Sequence, residues 1–380
     1  MSAVPAFEGA LDVFFEAAGA RSVDVPILQP AEPYLDTAGE ALRRRIFLTR
    51  GDGGKSLCLR PDFTIPVALA HIQTGQGLPR RYAYRGLVFR QDRDGPAEFL
   101  QAGIEDLGTE DLAEADAASI ADAAKALTAC GIDLGALDAV IGDQALFEAF
   151  LRTLGLPAGW QRRLVRTFGS DALLREAMEA LRRGGQAPAS IDPDLVEIAR
   201  ARDIDQLAAE IADRMEEGGL PPNRGRSPLE VALRLIEKVE AAEARLDEAL
   251  LERLTRFLAI DVPLDRASEA LSSTGTALGA AKTLFEARLD ALSKADVDLS
   301  ALRYRAAFGR PLDYYTGMVF EMNAAGIGTL AGGGRYDRLV SYLGAHRPIP
   351  AVGFSLWLDR VARATASAGD RNRSSEKPDA

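Results

Sequence analysis

Two stretches of the chain carry arginines, carboxylates and tyrosines between apolar residues at strand spacing. One covers residues 84–105 and the other residues 310–360. Arginine binds carboxylates and phosphates through a planar fork of donors, and a buried carboxylate accepts strong bonds from ammonium or ring N–H groups. The two stretches therefore predict a pocket suited to an amino acid and a phosphate.

The predicted strand from Glu98 to Glu105 carries the acceptors of this pocket. Successive side chains on a strand point to opposite faces, so Gln101 and Glu105 share a face with Gly103 between them. A glycine at that point leaves space above the strand. We expect a small ligand with ammonium or ring N–H donors to occupy it.

Arg85 and Arg90 lie five residues apart, so on a regular strand they point to opposite faces. We expect one arginine to face the ligand and the other to form an ion pair, unless a bulge changes the phase. The tyrosines and glycines of the two stretches also have a purely structural interpretation. Strand tyrosines usually pack a core, and the glycines at 332–334 are more typical of close backbone approach than of a phosphate loop.

Composition narrows the class of protein. The 380 residues carry a net charge of -11, which disfavours RNA binding because phosphate contacts need a basic face. Two cysteines and two histidines, without clustering, predict neither a disulfide framework nor a metal site. The first 20 residues lack lysine and arginine, and no apolar run approaches the ~20 residues of a membrane span. We expect a cytoplasmic protein with no membrane association and no cofactor.

Hydrophobic periodicity predicts an α+β protein with an antiparallel sheet flanked by helices. A turn at Gly51–Gly54 lies between two short apolar strands and predicts a hairpin. The predicted domains are a discontinuous core of residues 1–156 and 266–365, a helical insertion of residues 157–265, and a disordered tail of residues 366–380.

The order of the motifs resembles the catalytic domain of histidyl-tRNA synthetase, a class II aminoacyl-tRNA synthetase, over about residues 5–365. The motifs are Leu59–Thr64, Phe89–Asp92, Phe99–Glu105, Arg310–Tyr315, Gly333–Asp337 and Val352–Arg360. Any one motif alone is unspecific, whereas six in order are specific.

The resemblance implies a role for each matching residue. Histidine would be held by Asp62, Thr64 and Gln101 at the α-amino group, Glu105 and Tyr315 at the imidazole nitrogens, Tyr314 and Tyr336 along the ring, and Arg310 at the carboxylate. Arg90 and Arg360 match positions that hold ATP phosphates in the synthetases.

Three departures from the synthetase pattern argue against aminoacylation. The loop at residues 92–98 is short and has three acidic residues against one basic residue, where the synthetases have a longer basic loop. Only 20 residues follow Arg360, which leaves no room for an anticodon-binding domain. Aspartate replaces glutamate at positions 62, 92 and 359, and Leu100 replaces histidine.

This combination resembles the regulatory subunits of ATP phosphoribosyltransferase, which are synthetase paralogues without aminoacylation activity. The resemblance implies a non-catalytic protein that assembles with a short-form catalytic subunit for the first step of histidine biosynthesis. It also implies histidine as a feedback effector, and a homodimer, formed through about residues 10–35, within a hetero-oligomer. No tRNA partner is expected.

Two other functions remain open from the residues. A histidine-adenylating enzyme, either a truncated synthetase or a modifying paralogue, would use the retained Arg90, Arg310 and Arg360. A tRNA-binding module is the third hypothesis, and the net charge and the acidic loop weigh against it. Histidine-dependent pyrophosphate exchange separates the enzyme from the regulatory subunit.

Overall fold

The computed structural model describes residues 7–37, 40–92, 95–185, 190–218, 227–310, 312 and 314–375. The chain divides into two compact units. Unit 1 takes the residues up to Leu146 and from Ala259 onward, and unit 2 takes residues 147–258.

A nine-stranded sheet forms the centre of unit 1, in the order β1-β5-β6-β12-β11-β10-β7-β9-β8. Pairs β1–β5 and β7–β9 are parallel, and the other neighbouring strands are antiparallel. The predicted α+β fold is therefore confirmed, and the predicted antiparallel sheet also contains two parallel pairs. The strands are β1 Arg21–Ser22, β2 Leu28–Pro30, β3 Leu48–Arg50, β4 Ser56–Leu59, β5 Arg80–Phe89, β6 Glu98–Leu107, β7 Leu137–Asp143, β8 Asp261–Pro263, β9 Leu302–Arg305, β10 Met318–Ala324, β11 Gly328–Arg335 and β12 Ala351–Trp357.

A second sheet in unit 1 has the order β2-β4-β3, and its β3–β4 pair is the predicted hairpin. The hairpin turn needs glycine, since Gly53 and Gly54 both have positive φ. Residues 23–27 form no strand and connect β1 of the large sheet to β2 of the small sheet.

Sixteen helices occur among the described residues. They are α1 Glu8–Ala17, α2 Glu32–Thr37, α3 Glu40–Arg43, α4 Thr64–Thr74, α5 Leu112–Ala129, α6 Gln144–Arg152, α7 Ala158–Thr167, α8 Asp171–Arg183, α9 Pro193–Ala201, α10 Ile204–Glu217, α11 Pro228–Glu243, α12 Glu248–Leu258, α13 Ala267–Ser273, α14 Gly279–Lys294, α15 Asp337–Tyr342 and α16 Leu358–Ser375.

The helices α7 to α12 are the regular elements of unit 2 in its described residues, together with most of α6. The unit has its own apolar cluster, built from α9, α10 and α11 around Leu207 and Ile236. Its α11 begins with a reciprocal capping box between Ser227 and Glu230. The predicted insertion covers residues 157–265, whereas unit 2 covers residues 147–258, so the unit begins and ends earlier in the chain. The difference at the start arises because α6 stacks Phe147 and Phe150 on Phe257 of α12.

The C-terminal helix corrects the predicted disordered tail. Helix α16 continues to Ser375, so the prediction is wrong for residues 366–375. Residues 376–380 lie outside the described residues. The polar composition of this segment is also compatible with a helix, because most of these residue types have moderate helix propensity.

A buried ion-pair network joins four elements of unit 1. Asp116 of α5 accepts from Arg288 of α14 at 2.8 Å and from Arg335 of β11 at 2.7 Å. Arg288 also pairs with Asp143 at the end of β7, again at 2.8 Å. These four side chains are at most 3% exposed, so each charge depends on its partners.

Candidate ligand-binding site

The candidate site is built on one face of β6. Gln101, Gly103 and Glu105 share that face, as the alternation predicts, and Gln101 and Glu105 are each 1% exposed. Across the pairing of β6 with β12, Glu105 lies opposite Gly353 and Gln101 lies opposite Trp357. The central strands of the sheet thus supply the floor of the site.

Glycines on the neighbouring strands leave room for the site's side chains. A Cβ atom at Gly353 would overlap the carboxylate of Glu105, and one at Gly334 would lie 2.9 Å from the ring of Tyr315. Cross-strand register places Gly353 opposite Gly334. The glycines of β11 therefore serve close packing, as the structural interpretation of the sequence held, and not a phosphate loop.

Glu105 is the buried acid at the centre of the site. Its Oε1 accepts a 2.8 Å hydrogen bond from the Thr64 hydroxyl, and its Oε2 accepts from the Tyr336 hydroxyl. Burial raises the pKa of Glu105 to about 8, while the bonds from Tyr336 and Thr64 act in the opposite direction. Glu105 is thus a carboxyl group that can exchange a proton near neutral pH.

Two buried acceptors in the site have no donor among the described residues. They are Oδ2 of Asp62 and Oε1 of Gln101. Oδ1 of Asp62 faces the backbone N–H of Ile65 at 3.4 Å, at the start of α4. Burial raises the pKa of Asp62, and Arg90 and Arg310 lower it. Because a buried acceptor without a donor costs about 1–3 kcal/mol, these two oxygens favour a ligand that brings N–H donors.

Arg310 is fixed in place on the other side of the site. Its Nε donates to Glu321 at 3.1 Å, and its Nη1 donates to the Tyr315 hydroxyl at 2.6 Å. Its guanidinium also lies 5.6 Å from the ring centre of Trp357. These contacts hold a nearly buried cation that is suited to a ligand carboxylate.

Three tyrosines form the wall of the site. The Tyr314 ring centre lies 5.0 Å from that of Tyr315 and 6.1 Å from that of Tyr336. All three are buried, and burial raises the pKa of each hydroxyl. The hydroxyls therefore stay protonated near neutral pH and can donate hydrogen bonds.

The ion pair predicted for one of Arg85 and Arg90 is confirmed for Arg85, and the contact of Arg90 with a ligand stays a prediction. Arg85 pairs with Asp12 at 2.8 Å, away from the site. Arg90 lies just beyond β5, donates through Nε to the Pro61 carbonyl at 2.7 Å, and lowers the pKa of Asp62. Thus Arg90 faces the site.

Arg360, the second predicted phosphate residue, lies at the start of α16. Its Nη1 donates to the Thr329 carbonyl at 3.1 Å, and its guanidinium lies 5.7 Å from the ring centre of Trp357. Trp357 thus lies beside both Arg310 and Arg360. No ion pair of Arg90 or Arg360 occurs within the described residues.

Parts of two quoted motifs lie outside the described residues. They are Arg93 and Asp94 of the acidic loop, and Pro311 and Asp313 next to Arg310. Among the residues that are described, no group of three or more histidine, cysteine, aspartate or glutamate side chains could hold a metal ion.

Comparison with known proteins decides the family. The family model described as Histidyl-tRNA synthetase matches residues 2–219 and 227–361. A regulatory subunit of ATP phosphoribosyltransferase from Allorhizobium ampelinum is 52% identical over 96% of this chain and 98% of its own length. One from Rhizobium johnstonii is 51% identical over 96% and 99%. The chain belongs to the family of ATP phosphoribosyltransferase regulatory subunits.

Solved structures agree on the fold. A protein from Bacillus halodurans titled as an ATP phosphoribosyltransferase regulatory subunit/histidyl-tRNA synthetase has a TM-score of 0.64 at 21% identity, over 94% of this chain and 78% of that one. A histidine–tRNA ligase subunit from Alicyclobacillus acidocaldarius has a TM-score of 0.59 at 26% identity, over 96% and 93%. The described helices include none long and apolar enough to cross a membrane.

The structure adds residues to the site that the sequence interpretation missed. Glu321 and Trp357 hold Arg310, and Tyr84 stacks on Phe63 beneath the site while bonding to Ser355 at 2.7 Å. Glu321 gave a signal in the sequence, since it is the one charged residue inside the apolar strand β10. Trp357 and Tyr84 gave no such signal, because in the sequence an aromatic residue at a binding site cannot be distinguished from one that packs in the core.

Proposed function

We propose that this chain assembles with a short-form catalytic subunit of ATP phosphoribosyltransferase and regulates it without performing chemistry itself. The names of the relatives support this part. We further propose that histidine is the feedback effector and binds at the β6 site. Two copies of this chain would form a homodimer through about residues 10–35, and this homodimer would be part of the hetero-oligomer.

The unpartnered oxygens of Asp62 and Gln101 carry the proposal for histidine. An α-ammonium group offers three N–H donors, and both acceptors are buried. Thr64, which bonds to Glu105 at 2.8 Å, would complete the ammonium contacts through its hydroxyl oxygen.

The other groups of histidine have partners at the site. Glu105 would accept from the imidazole N–H, since a carboxylate can accept more than the two bonds it has here. Tyr315 would bond the other ring nitrogen, and Tyr314 and Tyr336 would line the ring. Arg310 would bind the carboxylate.

Regulation then follows from linkage. Histidine changes the activity of the complex only by its difference in affinity for the active and inactive states, typically ~1–3 kcal/mol. The catalytic subunit needs no direct contact with histidine, because both subunits respond to one shared equilibrium.

A mixing assay tests the proposal. The short catalytic subunit is assayed for phosphoribosyl transfer alone, with this chain, and with this chain plus histidine. We expect activity to rise on mixing and to fall again with histidine. No rise on mixing would contradict the regulatory function, whatever histidine does.

Asp62→Asn tests the placement of histidine. The variant removes the charge that faces the ammonium group, so we expect the half-inhibitory histidine concentration to rise at least about tenfold while activation on mixing is kept. Asp213→Asn, on the exposed side of α10, is the matched control. If both variants respond to histidine like the wild type, the effector binds elsewhere.

Adenylation of histidine is the second candidate, because Arg90, Arg310 and Arg360 remain around the site. The purified chain is incubated with ATP, histidine and labelled pyrophosphate. We expect no histidine-dependent exchange. Robust exchange that disappears in Arg310→Gln would establish an adenylating enzyme instead.

A further inference from the structure

A second polar pocket lies near the edge of the large sheet, where β1 runs beside β5. Its volume is about 390 Å³, and its lining residues are Gly19, Arg21, Pro79, Arg80, Arg81 and Thr109. None of them belongs to the β6 site. Three arginines in one pocket are notable in a chain with a net charge of -11, and the volume is within the usual range for small-ligand pockets.

Arg81 is neutralised by the protein. It forms ion pairs with Asp122 and, at 3.4 Å, with Asp106. Its Nη1 donates to the Ala18 carbonyl at 2.6 Å. Asp106 also accepts from the Thr109 hydroxyl at 2.6 Å, so this carboxylate is already engaged at the pocket wall.

Arg80 and Arg21 are not neutralised in this way. Nε of Arg80 is buried and has no acceptor among the described residues. Its Nη2 lies 3.4 Å from Gln76, which is uncharged. Within the described part of the chain, Arg21 forms no ion pair. The pocket therefore keeps two positive charges without an ion pair. Among the described residues, Nε of Arg80 and Nε of Arg81 are both buried without a hydrogen-bond acceptor, although Nε of Arg81 lies 3.4 Å from the Asp106 carboxylate.

Two side chains that feel the charge of Arg80, His71 and Tyr82, supply no negative charge. Nδ1 of His71 lies 2.9 Å from the Tyr82 hydroxyl, and both residues are buried. Burial, and then Arg80, lowers the pKa of His71, while burial raises the pKa of Tyr82. Near neutral pH both side chains are uncharged, so the positive field of the two arginines persists.

We propose that this pocket binds a phosphate group through Arg21 and Arg80. A guanidinium fork matches the geometry of phosphate oxygens, and a phosphate would give the buried Nε of Arg80 its acceptor. Free phosphate, pyrophosphate and a phosphomonoester share this chemistry. The site is independent of the histidine proposal, since the two sites have no residue in common.

The test is a titration of the full-length chain with inorganic phosphate, pyrophosphate or glycerol 3-phosphate, at constant ionic strength and followed by calorimetry. We expect one saturable site for at least one of the three ligands, and the ligand that binds most tightly identifies the source of the phosphate. Arg80→Gln and Arg21→Gln should each weaken its binding about tenfold or more.

Two further variants make the outcome decisive. Arg256→Gln removes an exposed arginine of α12 that pairs with Glu252, and it should bind like the wild type. Arg80→Lys keeps the charge without the Nε donor and should bind with intermediate affinity. Absence of saturable binding to the wild type at millimolar ligand would overturn the proposal. Phosphate binding by Arg21→Gln and Arg80→Lys that equals wild-type binding would also overturn it. The same holds if these variants change the oligomeric state of the chain but not its affinity for the ligand.

Discussion

Glu105 shows how one residue sets the character of the site. It lies on a central strand at 1% exposure and has two hydroxyl donors but no arginine or lysine in an ion pair among the described residues. Hydroxyl bonds offset only part of the loss of hydration, so its pKa remains at about 8. An acid in that state responds to a ligand that donates N–H bonds.

Stability should fall as pH rises because of Glu105. The folded-state pKa of about 8 lies above the ordinary value of 4.5, so between these values the folded chain holds a proton that the unfolded chain lacks. This stabilises the fold at low pH and is lost as pH approaches 8. The contribution of Glu105 to the drop in unfolding free energy from pH 5 to pH 9 is on the order of 4 kcal/mol.

Glu105→Gln removes that contribution. Urea unfolding of wild type and variant at pH 5 and pH 9 measures it, and the variant should show the smaller drop. Equal drops in both proteins would mean that Glu105 does not titrate in this range.

Tyr315→Phe should weaken inhibition by histidine while leaving assembly intact. The change removes the hydroxyl that accepts from Arg310 at 2.6 Å and that we assign to an imidazole nitrogen. The expected cost is ~1–3 kcal/mol in histidine binding, read as a shift of the inhibition curve. Tyr342→Phe, which alters a 60% exposed tyrosine, should leave the curve in place. A Tyr315→Phe curve that overlays the wild type would remove Tyr315 from the site.

At the scale of elements, β6, β11 and β12 approach each other so closely that side chains are excluded at several positions. Gly353→Ala tests this packing, because the added methyl would overlap Glu105. We expect a loss of about 1–3 kcal/mol in unfolding free energy, typical of overpacking. Gly77→Ala is the control, since a Cβ atom there meets nothing within 4 Å. Equal stability of the two variants would refute the packing argument.

The buried network that joins α5, α14, β7 and β11 is the second test at this scale. Asp116→Asn leaves Arg288 and Arg335 without their shared carboxylate, and removing one partner of a buried pair costs about 3–5 kcal/mol. Glu252→Gln, which breaks an exposed pair with Arg256, should cost under about 1 kcal/mol. Chemical denaturation measures both. A similar small loss for the two variants would show that the network does not support the fold.

At the scale of the whole molecule, the charge of -11 bears on partners. Binding of nucleic acid draws most of its affinity from phosphate contacts, which an acidic surface repels. We therefore expect no specific tRNA binding at ~0.15 M salt, where non-specific dissociation constants are about 10⁻⁴–10⁻⁶ M. Fluorescence anisotropy with labelled tRNA checks this. Nanomolar binding would restore the tRNA-binding hypothesis.

Local pattern was enough to predict several of the elements. Alternation located β5 and β6, glycines located the β3–β4 hairpin, and the ordered motifs indicated the family that the relatives establish. These features depend on neighbours within a few residues, which is why spacing reveals them. The error at α16 has the same origin, because composition alone does not separate a polar helix from a disordered segment.

Contacts between distant segments decided the rest. The sequence determined which side chains point to one face of β6. Only the folded protein brings Gly353 beneath Glu105 and leaves Oδ2 of Asp62 and Oε1 of Gln101 without donors among the described residues. The pairing of Arg335 with Asp116, and the lack of an acceptor for Nε of Arg80 among the described residues, likewise depend on segments far apart in the chain. Burial and hydrogen-bond satisfaction are properties of the packed whole, so no local pattern encodes them.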